Sequence, residues 1–179
     1  GLPAERSAGV MGKGTFVTEP KIRESLVGSL TGFHEDMVRQ GYTPVSRTLK
    51  QAIIPATEKI ATHLQLTVGT EVIELRRLRF VNNTPIQLLS TFVPVTLCPA
   101  VLHADFTYQS LYAFLRSECG VTIASGKRSI EAVLANKEEA RLLEIPLGSP
   151  LILLDSVSYD DSGTAIEYYH AVHRSDRAR

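Results

Sequence analysis

The 179-residue chain carries 19 basic and 19 acidic side chains, so its formal charge at neutral pH is zero. That balance excludes a nucleic acid or an anionic membrane held by overall charge alone and leaves only local contacts with such partners. A hydrophobic content of 44% is ordinary for a globular domain and can supply a sizeable core, while no apolar run reaches the length of a membrane-spanning helix.

The first predicted elements are a Gly-rich segment and a helix. Residues 1–19 read as a turn and a short strand, Thr15–Val17. Pro20 then opens a helix that ends at Gly41, because proline suits a first turn and glycine a helix end. Its apolar positions recur at helical spacing and are Leu26, Leu30, Phe33 and Met37.

Strands and two short helices are predicted along the middle of the chain. Residues 42–56 form a strand, after which Thr57 caps a short helix that stops near Gly69. The stretch ELRRLRFVNNTPIQLL, residues 74–89, reads as two strands joined by a polar turn at 82–85. Residues 108–120 then form an amphipathic helix, and 121–135 a further strand.

Part of the sequence occurs twice. Residues 57–83 align with residues 136–162, with Gly69 facing Gly148 and Ile73 facing Ile152, and one extra residue, Gly163, lies in the second turn. Each copy contains a helix, a glycine turn, a strand, a polar turn and a strand. Because the strands are joined by tight turns, we expect a pseudo-symmetric α+β domain with a mainly antiparallel sheet.

Two arginines of the first hairpin are candidates for an anion site. Side chains alternate along a strand, so Arg77 and Arg79 share a face, roughly 6–7 Å apart, and Arg76 points the other way. Planar guanidinium groups suit carboxylate or phosphate. The alternative is a solvated stripe, or ion pairs with acidic side chains, namely Glu71, Glu74 or Glu131.

Ser110 lies where the 108–120 helix begins. Free backbone N–H groups and the helix dipole attract negative charge there, so Ser110 is a second candidate for anion binding. The alternative is an ordinary helix cap.

No pattern indicates catalysis, a metal or a cofactor. HExxH, GxSxG, P-loop and GxGxxG motifs are absent, and His170 and His173 face opposite sides of a strand. Cys98 and Cys119 have no metal or redox spacing, which predicts buried apolar thiols in a reducing compartment, without a disulfide. We therefore expect a cytoplasmic protein that is not an enzyme.

An ordered set of motifs resembles one protein family. The set comprises GKGTFV at 12–17, LTGFHEDM at 30–37, RLRFVNNTPIQLLSTFVP at 77–94, SLYAFL at 110–115 and IEYYHAVHRSDRAR at 166–179. Together these segments resemble the HutC branch of the GntR family of bacterial transcriptional regulators.

The resemblance implies two domains. Residues 1–19 are similar to the end of a winged helix-turn-helix domain, the wing strand and linker, with Lys13, Gly14 and Thr15 at the DNA. Residues 20–179 resemble the ligand-sensing UTRA domain, whose fold is that of chorismate lyase: an antiparallel sheet flanked by helices. The implied partners are operator DNA, a small anionic effector and a second copy of the chain.

The resemblance also implies an effector site. Family members that sense sugar phosphates grip the anionic end with two strand arginines and a serine, which here are Arg77, Arg79 and Ser110. Phe33 and His34 match a loop that closes over the ligand. Glu167 matches an acid at the polar end of the ligand, with Tyr169 as a neighbour.

One position departs from the family pattern. Leu89 stands where the family often has an acid, so specificity for an amino-sugar phosphate is not implied, and a smaller or more apolar anion is equally consistent. Two further hypotheses remain: a chorismate lyase-like enzyme that acts on an aromatic carboxylate, and a dimerisation module whose arginines are structural.

Overall fold

A single antiparallel sheet dominates residues 37–175, the part of the chain that this computed structural model describes. Within those residues six strands lie in the order β1-β2-β3-β6-β5-β4. The strands are β1 Val45–Pro55, β2 Glu71–Val81, β3 Thr84–Pro94, β4 Ser125–Leu134, β5 Pro150–Tyr159 and β6 Ala165–Arg174. The helices are α1 Glu58–Leu64, α2 Leu111–Cys119 and α3 Lys137–Leu143, with a 3-10 helix at Pro99–Leu102.

Local sequence explains where helices α1 and α3 begin. The side chain of Thr57 accepts from the backbone N–H of Ile60 at the start of α1, as predicted. The side chain of Asn136 accepts from the N–H of Glu139, whose carboxylate accepts from the N–H of Asn136 in return, which makes a capping box for α3.

The β2–β3 turn is tighter than the sequence predicted. Asn82 and Asn83 both have positive φ, 51° and 62°, the backbone of a two-residue hairpin turn with left-handed central residues. Asparagine tolerates this region better than other non-glycine residues. Thr84 and Pro85, predicted as turn residues, therefore begin β3 instead.

The predicted duplication is confirmed and extends further than the aligned residues. The strand order places β1, β2 and β3 as the counterparts of β4, β5 and β6 across the central β3–β6 pair. Equivalent turns carry equivalent bonds: the N–H of Ala56 donates to Thr70 O at 2.8 Å, and the N–H of Ala135 donates to Ser149 O at 2.8 Å. The β1/β4 equivalence was not visible in the sequence.

Several predicted bounds were too wide. The strand predicted at 121–135 begins at Ser125, and the helix predicted at 108–120 begins at Leu111. Gly41, with φ of 90°, follows the helical residues 37–39, which agrees with the predicted helix end. The remainder of that helix and the strand predicted at 15–17 lie outside the described residues.

The two faces of the sheet have different cover. On one face α1 packs on buried residues that include Val72 and Tyr168, and α3 packs on a cluster with Leu78 and Val172. On the other face the 3-10 helix and α2 cover a cluster with Ile73, Leu75, Val93, Phe106 and Leu115. Beyond this second cluster the face becomes polar, and the candidate site lies there.

The prediction of unpaired cysteines was wrong. Cys98 and Cys119 form a disulfide with a Cα–Cα distance of 5.8 Å. Spacing along the chain did not reveal the pair because the chain folds back: Cys98 precedes the 3-10 helix, and Cys119 is the last residue of α2. The bond ties these two segments together over the sheet.

In the described part of the chain, no helix is both long enough and apolar enough to cross a membrane.

Candidate functional site

Strand alternation brings a set of polar side chains to the face that α2 covers. All are nearly inaccessible to water, which is unusual for polar groups on a sheet. From β2, β3, β5 and β6 they are Arg77 (2% exposed), Arg79, Gln87, Ser156, Ser158 and Glu167 (0% exposed). A cluster of this kind needs internal partners or a ligand, because an unpaired buried polar group costs free energy.

The two strand arginines share the buried face, as predicted, and Arg76 points to the opposite one. There Arg76 forms a two-bond ion pair with Glu138, at 2.8 and 3.4 Å. The alternative of a solvated stripe is wrong, because Arg77 and Arg79 are only 2% and 5% exposed. One suggested ion-pair partner, Glu74, instead bonds Lys50 at 3.0 Å.

Arg77 is a buried cation with few compensating contacts. Its Nε and Nη1 atoms have no hydrogen-bond partner among the described residues. Its guanidinium carbon lies 5.7 Å from the centre of the Phe106 ring. Burial, followed by the nearby charge of Arg79, lowers the pKa of Arg77 to about 9. An anion beside Arg77 would give Nε and Nη1 hydrogen-bond partners and would stabilise the charged guanidinium, which burial and Arg79 disfavour.

Glu167 is the buried acid of the site. Its Oε1 atom accepts from the hydroxyl of Tyr112 at 2.8 Å and from that of Ser158 at 3.1 Å. Its Oε2 atom has no partner among the described residues. Burial raises the pKa of Glu167 to about 7, against the opposing effects of the two hydroxyl donors and the charge of Arg77.

Gln87 links the arginine side of the site to β6. Its side-chain oxygen accepts from Nη1 of Arg79 at 2.9 Å. Its side-chain nitrogen contacts the Tyr169 hydroxyl and lies 2.7 Å from Nε2 of His173. Burial, then the charges of Arg79 and Arg128, lower the pKa of His173 to about 4, so the imidazole is neutral at pH 7 and can accept from the Gln87 amide.

A third arginine reaches the site from β4. Arg128 is the register partner of Ser156, which in turn is the partner of Tyr169. Its Nε atom has no hydrogen-bond partner among the described residues, and burial lowers its pKa. Three guanidinium groups, of Arg77, Arg79 and Arg128, and one carboxyl group, of Glu167, therefore surround Tyr169, and the site has an excess of positive charge.

The site lies across the pseudo-symmetry axis. Arg79 and Gln87 occupy the positions in the first copy that Ser158 and Glu167 occupy in the second, and both cross-strand pairs are hydrogen-bonded. Between them Leu89 is the register partner of Ala171, and the two are 1% and 0% exposed. They form an apolar floor between polar walls.

Of the remaining predicted site residues, Ser110 lies in the described part of the chain, and the predicted lid and DNA contacts lie outside it. The hydroxyl of Ser110 accepts from the N–H of Ala113 at 3.3 Å, so it is a helix cap. Two residues further on, Tyr112 brings α2 to Glu167. A ligand contact of Ser110 stays a prediction. Two sets of predicted contacts lie outside the described residues: the lid residues Phe33 and His34, and the DNA contacts Lys13, Gly14 and Thr15.

Sequence reasoning missed several members of the cluster, above all Gln87, Tyr112, Arg128 and His173. Only Gln87 had a detectable signal, since it aligns with Glu167 once the extra Gly163 is allowed for. His170 and His173 do face opposite sides, as predicted, and His170 bonds Asp155 at 2.7 Å on the other face. In residues 37–175 no group of three or more His, Cys, Asp or Glu side chains could hold a metal ion.

Solved structures define the class of this fold. The crystal structure of PhnF from Mycobacterium smegmatis is similar with a TM-score of 0.77 and 28% sequence identity, over 83% of this chain and 65% of that one. The separate effector domain of the same regulator matches with the same TM-score, over 91% of that chain. The fold is thus the chorismate lyase-like α+β fold of effector domains from GntR-type regulators.

Relatives by sequence agree with the structures. The UTRA domain family matches residues 39–179, and the chain belongs to that family, in the HutC branch of GntR-type transcriptional regulators. The repressor NagR from Bacillus subtilis is 34% identical over 166 residues, which are 93% of this chain and 68% of that protein. The histidine utilization repressor of Pseudomonas putida is 31% identical over 145 residues, 81% of this chain and 57% of that one.

The chain therefore spans between 57% and 68% of the length of these curated relatives. Both carry names of transcriptional regulators, which favours a regulatory domain over the alternative of a chorismate lyase-like enzyme.

Proposed function

We propose that this domain binds a small anionic metabolite between β2, β3, β6 and α2, and that the bound ligand changes how the intact regulator holds its operator. The observation that carries the proposal is Arg77, a buried guanidinium whose Nε and Nη1 atoms have no protein partner among the described residues. A carboxylate or phosphate would supply charge-assisted hydrogen bonds to those atoms.

The surrounding side chains form two groups, one at each end of the proposed ligand. Arg77 and Arg79 hold the anionic group, with Ser110 and the start of α2 beside it. Glu167 and Tyr169 contact the polar end of the ligand, where hydroxyl or amide groups can donate to the free Oε2 of Glu167. Phe33 and His34, which lie outside the described residues, are included in the proposed site on the family resemblance alone.

The floor of the site bears on the choice of ligand. Leu89 and Ala171 offer an apolar surface where other family members often place an acid, which suits a ligand with a less hydroxylated body. One relative is named for histidine utilization and another for fructoselysine utilization, so the family name does not decide between ligands. A phosphorylated sugar and a small carboxylate both fit the cationic wall.

The intact protein is proposed to be a cytoplasmic homodimeric repressor, a proposal that rests on its regulator relatives and not on its cysteines, which are paired. Residues 1–19 would be the end of the winged helix-turn-helix domain, with Lys13, Gly14 and Thr15 at the DNA, and residues 20–179 the effector domain. Ligand binding would alter the spacing of the two DNA-binding heads, which must meet half-sites about one helical turn apart. A coupling of about 1–3 kcal/mol is enough to change operator occupancy severalfold.

Calorimetric titration with phosphorylated sugars, inorganic phosphate and small carboxylates tests the site. We expect Arg77→Gln and Arg79→Gln each to weaken binding of any active anion by about 1.5–3 kcal/mol, because each removes a charge-assisted hydrogen bond. Arg76→Gln is the matched control: it removes the same charge from the same strand, but on the face that pairs with Glu138.

Equal affinity of the Arg77 variant, the Arg79 variant and the wild-type chain would contradict the site. Recovery of the ligand unchanged after prolonged incubation is expected for a sensor, and its conversion to product would favour an enzyme.

A further inference from the structure

We propose that the effector of this domain carries two acidic groups, and that the second of them binds to Arg128 and Ser156, across β6 from Arg77. This second subsite would select compact metabolites with an acid at each end over metabolites with a single anionic group. The inference rests on the proposed anion site at Arg77 and adds to it the chemical class of the ligand.

Buried polar atoms that lack a partner occur on both sides of β6. On the β2 side they are Nε and Nη1 of Arg77, as described above. On the β5 and β4 side, Oγ of Ser156 and Nε of Arg128 also have no hydrogen-bond partner within residues 37–175. Ser156 is only 2% exposed, and a buried hydroxyl without a hydrogen bond costs free energy. A ligand group at this second place would bond both atoms.

The strand register brings the two side chains of the second subsite together. Arg128 on β4 is the partner of Ser156 on β5, which in turn is the partner of Tyr169 on β6. Ser156 lies two residues from Ser158, whose hydroxyl donates to Glu167, so alternation directs both serines to the face of the effector site. Cross-strand partners on one face have Cβ atoms about 4.5–5.5 Å apart. The guanidinium and the hydroxyl can therefore hold one acidic group between them.

The two cationic ends approach the site from opposite sides. In the strand order, β2 and β4 are separated by β3, β6 and β5, so the Cα atoms of Arg77 and Arg128 are roughly 19 Å apart across the sheet. Both charges act on Tyr169, which lies on the strand between them. A ligand that serves both ends extends across Tyr169, with an acidic group on either side.

The duplication explains why each half of the domain contributes a cation. Arg77 and its β1 partner Thr48 in the first copy correspond to Ser156 and its β4 partner Arg128 in the second. The arginine lies on the inner strand in the first copy and on the edge strand in the second. Two cations related in this way by the pseudo-symmetry match a ligand that has an acid at each end.

The charge of the site agrees with a ligand of this kind. Arg77, Arg79 and Arg128 surround Tyr169 together with a single carboxyl group, that of Glu167. One monocarboxylate would leave the cluster with an excess of positive charge. Burial also lowers the pKa of Arg128, which means that the charged guanidinium is disfavoured until an anion binds beside it.

Matched pairs of ligands test the second subsite. Titration calorimetry of the full chain compares 6-phosphogluconate with glucose 6-phosphate, and unbranched dicarboxylates with the monocarboxylates of the same chain length. In at least one pair we expect the wild type to bind the diacid about tenfold or more tightly than the monoacid, because the second acid gains charge-assisted hydrogen bonds.

Arg128→Gln should abolish this preference. The affinity for the diacid should fall about tenfold or more, with the affinity for the monoacid unchanged, and Arg128→Lys should keep part of the preference because it retains the charge without the planar fork. Ser156→Ala should weaken only the diacid, and by less, since it removes a hydrogen bond from a neutral donor. Lys127→Gln is the matched control: it removes the same charge from the preceding, exposed position of β4, on the opposite face, and should change neither affinity.

Two results would overturn the second subsite and leave the proposed anion site at Arg77 in place. One is the absence of a preference for the diacid in every pair. The other is equal weakening of diacid and monoacid by Arg128→Gln, which would mean that all three arginines hold the same anion. A wild-type chain that binds none of these anions, inorganic phosphate included, would contradict the anion site at Arg77 itself and the second subsite with it.

Discussion

Glu167 and His173 are side chains of one strand whose pKa values shift in opposite directions on folding. Burial raises the pKa of Glu167 from 4.5 to about 7 and lowers that of His173 from 6.5 to about 4. Between pH 4.5 and 7 the folded chain binds a proton at Glu167 more strongly than the unfolded chain does, so this contribution to stability falls as pH rises. Between pH 4 and 6.5 the unfolded chain binds more protons at His173, so that contribution rises.

Substitution can separate the pH-dependent contributions of Glu167 and His173 to stability. Relative to the wild type, Glu167→Gln should gain stability as pH rises from 4.5 to 7, by roughly 1–3 kcal/mol, because the cost of ionising a buried acid is gone. His173→Gln should show the reverse, with a relative loss between pH 4 and 6.5. Urea unfolding at several pH values measures both, and differences that do not change with pH would rule out the assigned shifts.

At the scale of elements, α2 connects the disulfide with the site. Its last residue is Cys119 and its first turn carries Tyr112, which donates to Glu167. The disulfide joins residues 21 apart and so restricts the unfolded chain as well as the position of α2.

Reduction of this disulfide should lower the free energy of unfolding by about 3 kcal/mol. Calorimetric melting with and without a reductant measures the loss. A chain with Cys98→Ala and Cys119→Ala is the control, and its melting temperature should not respond to the reductant. A wild-type melting temperature that is unchanged by verified reduction would show that the bond adds little to the fold.

At the scale of the whole molecule, the duplication places the site where its two halves meet. Leu89 lies at this junction, opposite Arg77 on β2 and opposite Ala171 on β6. Neither neighbour is acidic, so the charge of Arg77 remains available to a ligand.

Leu89→Glu should make the charge of Arg77 unavailable to a ligand. A carboxylate at this position would pair with Arg77, and we expect binding of inorganic phosphate or of an identified anion to weaken about tenfold or more. Leu89→Gln, similar in size but uncharged, separates charge from shape and should weaken binding less. Titration calorimetry compares the two, and equal affinities would mean that Arg77 does not contact the anion.

The sequence alone determined the features that depend on local order. Alternation in β2 predicted that Arg77 and Arg79 share a face, the Thr57 cap predicted the start of α1, and the repeated segment predicted two equivalent hairpins in an antiparallel α+β domain. These features follow from backbone periodicity and turn chemistry, which neighbouring residues dictate.

Only the tertiary structure decided which distant residues meet. Tyr112 and Glu167 are 55 positions apart and Gln87 and His173 are 86 apart, yet both pairs are within hydrogen-bonding distance. Cys98 and Cys119 meet because the 3-10 helix and α2 fold back over the sheet. Burial, which shifts the pKa values of Arg77 and Glu167, is a property of the packed sheet and its cover, so periodicity along one strand cannot reveal it.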